Sequence, residues 1–582
     1  MITFYFVTIT MGLMLLALLF ELQRPEVILG STLMLFVLSG VITPQEATAG
    51  FANEGMLTIA LLFIVAGSIQ KTGIVDRAFQ RLLGTSSTHH VLSKLLPPIS
   101  LLSAFMNNTP IVITATPMLK KWCLDRGVAP SKFLIPLSYA TILGGTITLI
   151  GTSTNLVVHG LLIENGFAGF SFFQLSTVGI PITMIGLGYL LYCSPALLPD
   201  RGVHSVTKGE TWREFTGEAL ITRDFPYCNL TVKDAQLRSL KGLFLVSIIR
   251  QDKAIAPVSS TTVLRENDRL LFTGEISTIT EIQRIKGLEL QSSSGSPFPE
   301  NHQLVEAVVT DHSSLLFKKI KDTNFRHHHQ AAVLAVHRQN QRLKEKIGDI
   351  VLKPGDTLLM VVGEAFRNKN DFYSITPLDQ KLVTPTQIRK GWFSISLFIV
   401  MIILVTFGVF SMLTAMALTS LLLFLLKMVS PEEVRNLIQW HVLLIIACSF
   451  GIGSALLHSG VAASIAHLLI ALTAPIGILA TLLSLYVLTN FFTEMMTNSA
   501  AAVLMFPIAM EVAKSIEIEV MPLAIIVAIA ASASFMTPIG YQTNLIVYGA
   551  GGYQFKDFLK IGFPLTIIVM VTTVLLVRLF WI

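Results

Sequence analysis

Apolar segments separated by short polar ones fill the first and last parts of the chain. They cover, in order, about residues 4–20, 27–42, 56–70, 95–119, 133–163, 176–197, 391–410, 412–427, 440–457, 464–510, 521–549 and 559–580. An apolar stretch of about 18 or more residues with few charges has the length of a membrane-spanning helix. The pattern therefore predicts a polytopic α-helical membrane protein, with one set of helices in residues 1–198 and a second set in residues 390–582.

Two of the apolar segments carry the same polar interruption. The first reads Met-Asn-Asn-Thr-Pro at 106–110 and the second reads Met-Thr-Asn-Ser-Ala at 496–500. In each, a proline (Pro117 or Pro507) follows nine residues after the central asparagine. Such a break predicts a re-entrant hairpin, which enters and leaves the bilayer on one side and whose arms each cross about half of it.

A second interruption follows each predicted hairpin. It reads Gly-Thr-Ser-Thr-Asn at 151–155 and Gly-Tyr-Gln-Thr-Asn at 540–544, and it predicts a broken helix in each half. Breaks at matching places in two halves indicate a transporter binding site near the middle of the bilayer. Asn, Thr and Gly in membrane helices also mediate helix packing. Packing accounts for one motif, but it does not demand the matched spacing of both pairs.

Charged residues are concentrated in the middle of the chain. Of the 582 residues, 52% are hydrophobic and 13% are charged, and the mean hydropathy is +0.67. Residues 200–390 hold 27 of the 42 Lys and Arg and 22 of the 36 Asp and Glu. This partition predicts a soluble insert within a membrane protein and gives no reason to expect a nucleic-acid partner. The four cysteines show no CxxC spacing, so neither a disulfide framework nor a zinc site is indicated.

Basic residues predict which side of the membrane each loop faces. They occur in alternate loops of the first half, at Arg24, Lys71, Arg77, Arg81, Lys94, Lys120, Lys121, Arg126 and Lys132, whereas 43–55 and 164–176 contain none. The positive-inside rule then makes the insert cytoplasmic. The first hairpin would enter from the cytoplasm and the second from outside, so the halves are expected to be inverted repeats of a multi-pass protein of the cell membrane.

The insert contains a repeat of its own. Arg250 and Asp268 recur as Arg338 and Asp356, both 88 residues later, within similar apolar segments. Alternating apolar strands around Asn-Asp or Gly-Asp predict two small α/β units, at 199–290 and 300–385. The two aspartates are expected to be turn residues between strands and not catalytic groups.

The chemistry of the breaks suits ions. Helix N-termini at a hairpin tip offer free N–H groups to an anion, while carbonyl and hydroxyl oxygens suit a hard monovalent cation. Glu494 is the carboxylate near a break, and the scarcity of ionisable groups in the spans favours Na⁺ over H⁺ as the coupling ion, with Glu494 leaving proton coupling open. No nucleophile–base set and no GxxxxGK[ST] loop occurs, so the protein is expected not to be an enzyme, to have no catalytic residue and to need no cofactor.

The paired tips and loops resemble the divalent anion:sodium symporter family, within the ion-transporter superfamily that also includes arsenite and citrate permeases. The resemblance covers both membrane halves. It implies a homodimer that works as an elevator and takes up sulfate or dicarboxylates with Na⁺. The tips depart from the family's Ser-Asn-Thr at three positions, Asn107, Thr497 and Ser499.

The resemblance also implies which residues form the sites. Those expected to bind the substrate anion are Asn108, Thr109, Thr152, Ser153, Asn498, Ser499, Thr537 and Pro538. Those expected to hold Na⁺ are Asn107, Asn108 and Gly151 in one site and Thr497, Asn498 and Gly540 in the other. Loop residues associated with these sites are Asn155, Thr543 and Asn544.

The insert resembles two tandem C-terminal domains of the TrkA/RCK type, which implies a small regulatory ligand. A carrier with such modules resembles a sulfate-transporter branch, which favours sulfate as substrate. A dicarboxylate carrier is the main alternative, and arsenite-type or cation antiport, a ligand-gated channel and an anion sensor are further ones. The channel alternative lacks a Thr-Val-Gly-Tyr-Gly filter in the sequence.

Overall fold

The computed structural model describes most of the chain in two compact units. The described residues are 1–20, 22–73, 77, 79, 81–83, 91–201, 216–235, 237, 243–251, 253–255, 258, 261–274, 286–291, 303–310, 313–338, 341–343, 345, 347–362, 372–374, 385–473 and 475–582. We call Met1–Trp122, Pro130–Asp200 and Asp379–Ile582 the helical unit, and Cys123–Ala129 with Arg201–Leu378 the sheet unit.

The helical unit is built from apolar helices. Those before the insert are α1 Ile2–Leu19, α2 Pro25–Leu38, α3 Pro44–Ala49, α4 Glu54–Gln70, α5 Val91–Ser103, α6 Asn108–Asp125, α7 Leu134–Gly145, α8 Ser153–Glu164 and α9 Ser176–Leu197. Those after it are α10 Pro385–Thr406, α11 Met412–Leu425, α12 Pro431–Leu437, α13 Trp440–His458, α14 Val461–Thr473, α15 Ile478–Met495, α16 Asn498–Ser515, α17 Val520–Ser532, α18 Gln542–Ala550 and α19 Phe555–Trp581. Within the described residues, six helical stretches are long and apolar enough to cross a membrane: Pro44–Gln70, Ser176–Leu197, Arg389–Thr406, Trp440–His458, Ile478–Met495 and Phe555–Trp581.

The two hairpins predicted from sequence correspond to α5–α6 and α15–α16. The arms have 13, 18, 18 and 18 residues, or about 20 to 27 Å at 1.5 Å per residue. That each arm crosses about half a bilayer stays a prediction, because a helix can extend beyond the apolar layer of the membrane. Polar residues such as Lys120 and Lys121 continue α6 beyond the apolar segment that the sequence shows. Re-entrant topology itself stays a prediction.

The two predicted broken helices correspond to α7–α8 and α17–α18. Every residue of α7 is buried, as are the residues of α17 from Pro522 onward. In each half the first arm of the hairpin packs on the first part of the broken helix: α5 on α7, and α15 on α17. Each polar break therefore adjoins a buried helix.

The sheet unit contains two five-stranded antiparallel sheets. The strands of the first are β1 Thr216–Ile221, β2 Leu243–Arg250, β3 Lys253–Ile255, β4 Arg269–Gly274 and β5 Leu288–Gln291, in the order β3-β2-β4-β1-β5. Those of the second are β6 Gln303–Val309, β7 Ala331–Arg338, β8 Gln341–Arg342, β9 Thr357–Val362 and β10 Phe372–Ser374, in the order β8-β7-β9-β6-β10. The second order repeats the first strand for strand, and each sheet packs on its own apolar core.

The repeat in the sheet unit extends to individual bonds. Arg250 binds both carboxylate oxygens of Asp268 at 2.8 and 2.7 Å, and Arg338 binds those of Asp356 at 2.7 Å each. Both aspartates are buried, and hydrogen bonding to them raises the pKa of each arginine. The prediction that they are simple turn residues was incomplete, because their carboxylates also fasten neighbouring strands through arginine.

Candidate functional site

The first hairpin tip is fastened by a hydroxyl group one turn before it. The Ser103 hydroxyl contacts Oδ1 of Asn108, and it also lies 2.9 Å from the carbonyl oxygen of Thr141 in α7. Asn108 is the first residue of α6 and is fully buried. Its side chain is therefore held in place at the start of a helix, where free backbone N–H groups are concentrated.

The second tip repeats this arrangement 390 positions later. The Thr493 hydroxyl lies 2.9 Å from Oδ1 of Asn498 and 2.6 Å from the carbonyl oxygen of Ala531 in α17. Asn498 likewise begins a helix, α16. A hydroxyl residue five positions before each tip asparagine thus ties the tip to the broken helix of the same half.

Two asparagines fasten the broken loops. Nδ2 of Asn155 donates to the carbonyls of Gly145 and Thr148, at 3.2 and 2.9 Å. Nδ2 of Asn544 donates to the equivalent carbonyls, of Ser534 and Thr537, at 3.0 and 3.2 Å. These bonds satisfy carbonyl groups that the interruption of the helix leaves without partners.

Glu494 breaks the symmetry of the two halves. Its carboxylate accepts hydrogen bonds from the backbone N–H groups of Phe535, Met536 and Thr537, at 2.8, 2.9 and 2.9 Å. At the equivalent position the first half has Ala104. There the N–H groups of the loop at 146 and 147 bond to the carbonyls of the preceding turn, at 3.2 and 3.1 Å. The second loop is thus organised around a buried carboxylate that the first loop lacks.

Close backbone approach explains the two predicted glycines. A Cβ atom on Gly151 would collide with the backbone of Gly145. One on Gly540 would collide with the Ser534 hydroxyl and would lie 3.0 Å from both Oε2 of Glu494 and the Thr537 hydroxyl. Oxygen atoms therefore lie so close to Gly540 that a residue with a Cβ atom would not fit at this position.

Some buried oxygen atoms near the breaks lack partners within the described residues. In the second half this is true of Oγ1 of Thr497, and in the first half of Oγ1 of Thr154 and Oδ1 of Asn155. A buried polar atom without a partner is costly. Oxygen ligands of this kind suit a hard monovalent cation, so the residues present fit the predicted type of ion.

The structure adds two residues that sequence analysis did not place in the site, Tyr541 and Gln542. The Tyr541 hydroxyl lies 2.6 Å from Nδ2 of Asn108 and 3.2 Å from the Thr152 hydroxyl. The Thr109 hydroxyl donates to Oε1 of Gln542 at 3.0 Å. The available signal was the comparison of the loops, where these two residues replace the short Thr152 and Ser153 of the first half.

The predicted residues are brought together to different degrees. Asn108, Thr109 and Thr152 meet through Tyr541 and Gln542, across the two halves. Thr537 accepts the N–H of Gly540 at 3.0 Å, and Ser138 of α7 reaches the side chains of Thr543 and Asn544 at 2.8 and 2.7 Å. Among the described residues, the side chains of Asn107, Ser153, Thr497 and Ser499 show no hydrogen bond, and that of Pro538 has no group that could form one.

A helical unit with membrane-length apolar helices and two matched polar breaks is the architecture of a membrane transporter. The comparison with protein families makes the assignment specific. The model of the citrate transporter family matches residues 14–530 and, a second time, 487–582. The chain belongs to this family of the ion-transporter superfamily, and it is a membrane protein.

The curated relatives match nearly the whole chain. A Chlamydomonas reinhardtii protein whose name describes a sulfur deprivation response regulator is 34% identical over 568 residues, which are 94% of this chain and 97% of that protein. An uncharacterized transporter of Synechocystis is 31% identical and covers 94% of this chain and 92% of its own. Sodium/sulfate cotransporter 2 of C. reinhardtii is 26% identical over 91% of this chain and 84% of its own.

A solved structure also shows similarity over most of the chain. It is that of the YdaH transporter from Alcanivorax borkumensis, with a TM-score of 0.43 and 12% sequence identity, covering 94% of this chain and 87% of that one. The family assignment rests on the sequence matches and not on this similarity.

Proposed function

We propose that the protein is a secondary active transporter that couples the uptake of a divalent anion, sulfate, to Na⁺ by an elevator-type alternating-access mechanism. The observation that carries the proposal is the repetition of one hydrogen-bond pattern. In the first half, Ser103 contacts Asn108 and Asn155 bonds to the loop carbonyls. In the second half, Thr493 and Asn498 form the equivalent contact, and Asn544 forms the equivalent loop bonds. Two equivalent polar breaks at bilayer depth are the arrangement of alternating-access carriers built from inverted repeats.

The anion is held by helix N-termini, amides and hydroxyls. Asn108 and Asn498 each begin a helix, so the positive ends of two helix dipoles are directed at the tips. The proposed anion ligands are Asn108, Thr109, Thr152, Ser153, Asn498, Ser499, Thr537 and Pro538. A doubly charged anion gains from both dipoles at once, which favours a dianion over a neutral solute.

Two Na⁺ ions are proposed to neutralise that charge. One takes oxygen ligands around Asn107, Asn108 and Gly151, and the other takes them around Thr497, Asn498 and Gly540. The second site in particular is supported by the Thr497 hydroxyl oxygen, which has no partner among the described residues, and by the nearby carboxylate of Glu494. The name of the C. reinhardtii sodium/sulfate cotransporter supports both the ion and the anion.

The rest of the chain supports transport. We propose a homodimer with transmembrane repeats at 1–198 and 390–582 and a cytoplasmic insert of two TrkA/RCK C-terminal-like domains, at 199–290 and 300–385. A small ligand bound by the insert would bias the equilibrium between inward- and outward-facing states, and so the rate of uptake. The duplicated strand order of the insert supports two modules of one type.

Carboxylate transport is the second candidate, favoured by the description of the matched family as citrate transporters. Uptake of radiolabelled sulfate into proteoliposomes, with succinate and citrate as competitors, separates the two. We expect sulfate uptake that neither competitor inhibits at equal concentration. The site would be assigned to carboxylates if succinate or citrate inhibited sulfate uptake at a concentration no higher than the half-saturating concentration of sulfate.

Substitutions at the tips test the site itself. Asn108→Ala and Asn498→Ala should each lower sulfate uptake at least tenfold, because each removes an anchored ligand from a helix N-terminus. Asn165→Ala is the matched control, since Asn165 is exposed and, within the described residues, its side chain bonds to the carbonyl of Leu161 at the end of α8 and to no other group. Uptake by both tip variants at the level of the control would contradict the proposed site.

A further inference from the structure

The hydroxyl of Tyr541 lies between two of the proposed anion ligands. It is 2.6 Å from Nδ2 of Asn108 and 3.2 Å from the hydroxyl of Thr152. All three residues are buried. An oxygen atom of a bound anion would need the same distances to the same two groups. The phenol oxygen therefore occupies a position that an anion oxygen would otherwise take.

The direction of the hydrogen bonds gives this hydroxyl a defined orientation. Nδ2 of Asn108 can only donate, so Tyr541 accepts from it and its own proton points away from Asn108. That proton is free to go to Thr152 or to an acceptor that replaces Thr152. A bound oxyanion is such an acceptor, and a phenol donor to an anion gives a charge-assisted hydrogen bond.

The opposite side of the proposed site has no equivalent group. The first half has Thr152 and Ser153 where the second has Tyr541 and Gln542. Within the described residues, Nδ2 of Asn498 and the hydroxyl of Ser499 have no hydrogen-bond partner, whereas Asn108 and Thr109 both do. Within the described residues, the tyrosine thus lies against the first tip, whereas the amide of Asn498 and the hydroxyl of Ser499 at the second tip are left to bond an anion.

We propose that Tyr541 sets the size of the anion that the site accepts. The ring closes the first-tip end and leaves room for a compact tetrahedral oxyanion, to which the hydroxyl donates, while it excludes an anion whose two charged groups are separated by a carbon chain. This inference rests on the proposed function and names the substrate class of the same site.

Two substitutions separate the volume of the ring from its hydroxyl. Tyr541→Thr installs the residue of the equivalent position in the first half and removes the ring. Succinate should then inhibit sulfate uptake at a concentration at least tenfold lower than in the wild type. Tyr541→Phe keeps the ring and removes the donor. It should stay insensitive to succinate while the half-saturating sulfate concentration rises about tenfold, as for the loss of one hydrogen bond to a charged group.

Tyr486→Phe is the matched control, because the buried Tyr486 hydroxyl has no hydrogen-bond partner among the described residues. It should leave both the sulfate and the succinate response unchanged. Thermal stabilisation of purified wild type and variants by sulfate, malonate and succinate in Na⁺ gives a second readout that does not depend on transport. Only Tyr541→Thr should be stabilised by succinate.

The outcomes distinguish this inference from the proposed function. Sulfate uptake by the wild type, with a succinate response that is the same in Tyr541→Thr, would overturn the role of Tyr541 and leave the function standing. Stabilisation of the wild type by succinate as strongly as by sulfate would overturn both. If sulfate stabilised the protein but no Na⁺-driven uptake occurred, the transport proposal would be overturned. The role of Tyr541 would still be decided by whether succinate stabilises Tyr541→Thr and not the wild type.

Discussion

Individual polar side chains solve the main problem of a broken helix, which is backbone without partners in an apolar environment. Asn155 and Asn544 each donate to two carbonyls of their loop, and Glu494 accepts from three N–H groups. Each residue thereby fixes the position of backbone that the proposed ions and anion would contact. At this scale the site is a set of backbone groups held in place by a few amides and one carboxylate.

Glu494 should be indispensable although its counterpart is an alanine. Glu494→Ala leaves three N–H groups, one buried and two partly buried, without their acceptor, at a cost of up to about 1–3 kcal/mol each in the free energy of unfolding. We expect a lower midpoint of thermal unfolding in detergent and loss of uptake. Glu517→Gln is the control, because Glu517 is exposed in the loop before α17. If Glu494→Ala unfolded at the same midpoint as the wild type, these hydrogen bonds would not contribute to stability.

The buried arginine–aspartate pairs should dominate local stability in the sheet unit. Arg338→Met leaves the carboxylate of Asp356, which is 1% exposed, without its arginine, and should destabilise the second sheet by about 3 kcal/mol. Hydrogen exchange of β7 and β9 in the full-length protein measures this. Arg223→Met removes an ion pair whose arginine is 88% exposed. It should change the free energy of opening measured by hydrogen exchange by less than about 0.5 kcal/mol. Equal effects of the two variants would contradict the account.

At the scale of elements, a close contact across the break shapes the broken helix of each half. Gly151 lies against Gly145 in the first half, and Gly540 lies against Ser534 in the second. Prolines occur at equivalent places within α6 and α16, at Pro117 and Pro507. The two halves therefore share not only a sequence pattern but also the contacts that set the geometry of each break.

Gly540→Ala and Gly151→Ala should both abolish uptake. The added methyl group collides with the neighbouring loop atoms and forces the backbone apart, at a cost of about 1–3 kcal/mol in stability. Gly188→Ala in α9 is the control, since a Cβ there would meet no described residue within 4 Å. Sulfate transport by either site variant at the rate of Gly188→Ala would refute the importance of the close approach.

The sequence allowed the existence and spacing of these elements to be predicted, because Gly, Asn and Pro interrupt apolar segments visibly. It did not reveal Tyr541 as part of the site, since contact between residues 108 and 541 depends on how the two halves pack. It also did not give the full length of the helical arms, because hydropathy marks the apolar part of a helix and not its polar ends. The paired roles of Asp268 and Asp356 required the arginine geometry that the structure supplies.

At the scale of the whole molecule, a transporter unit is interrupted by a sheet unit with a repeat of its own. The family match runs through both sides of the insert, and relatives cover more than nine-tenths of the chain. The insert is therefore a feature of the full-length proteins to which the chain is similar. We propose that the helical unit carries out transport and that the sheet unit regulates it.

Removal of residues 205–385 tests whether transport and regulation belong to different units. We expect the deletion variant to retain Na⁺-dependent sulfate uptake but to lose its response to ionic and nutrient conditions, because the ligand that biases the equilibrium can no longer bind. Uptake by wild type and deletion variant is compared across those conditions in the same cells. An identical response of both would contradict a regulatory role of the insert.

The central claim is that a Na⁺ gradient drives the uptake of sulfate against its concentration gradient. The direct test is accumulation of radiolabelled sulfate in proteoliposomes with an inward Na⁺ gradient and no pH difference, followed by addition of a Na⁺ ionophore. The account predicts accumulation above the external concentration and its collapse when the Na⁺ gradient is dissipated. Accumulation that follows an imposed pH gradient instead, or sulfate that only equilibrates, would contradict Na⁺-coupled symport.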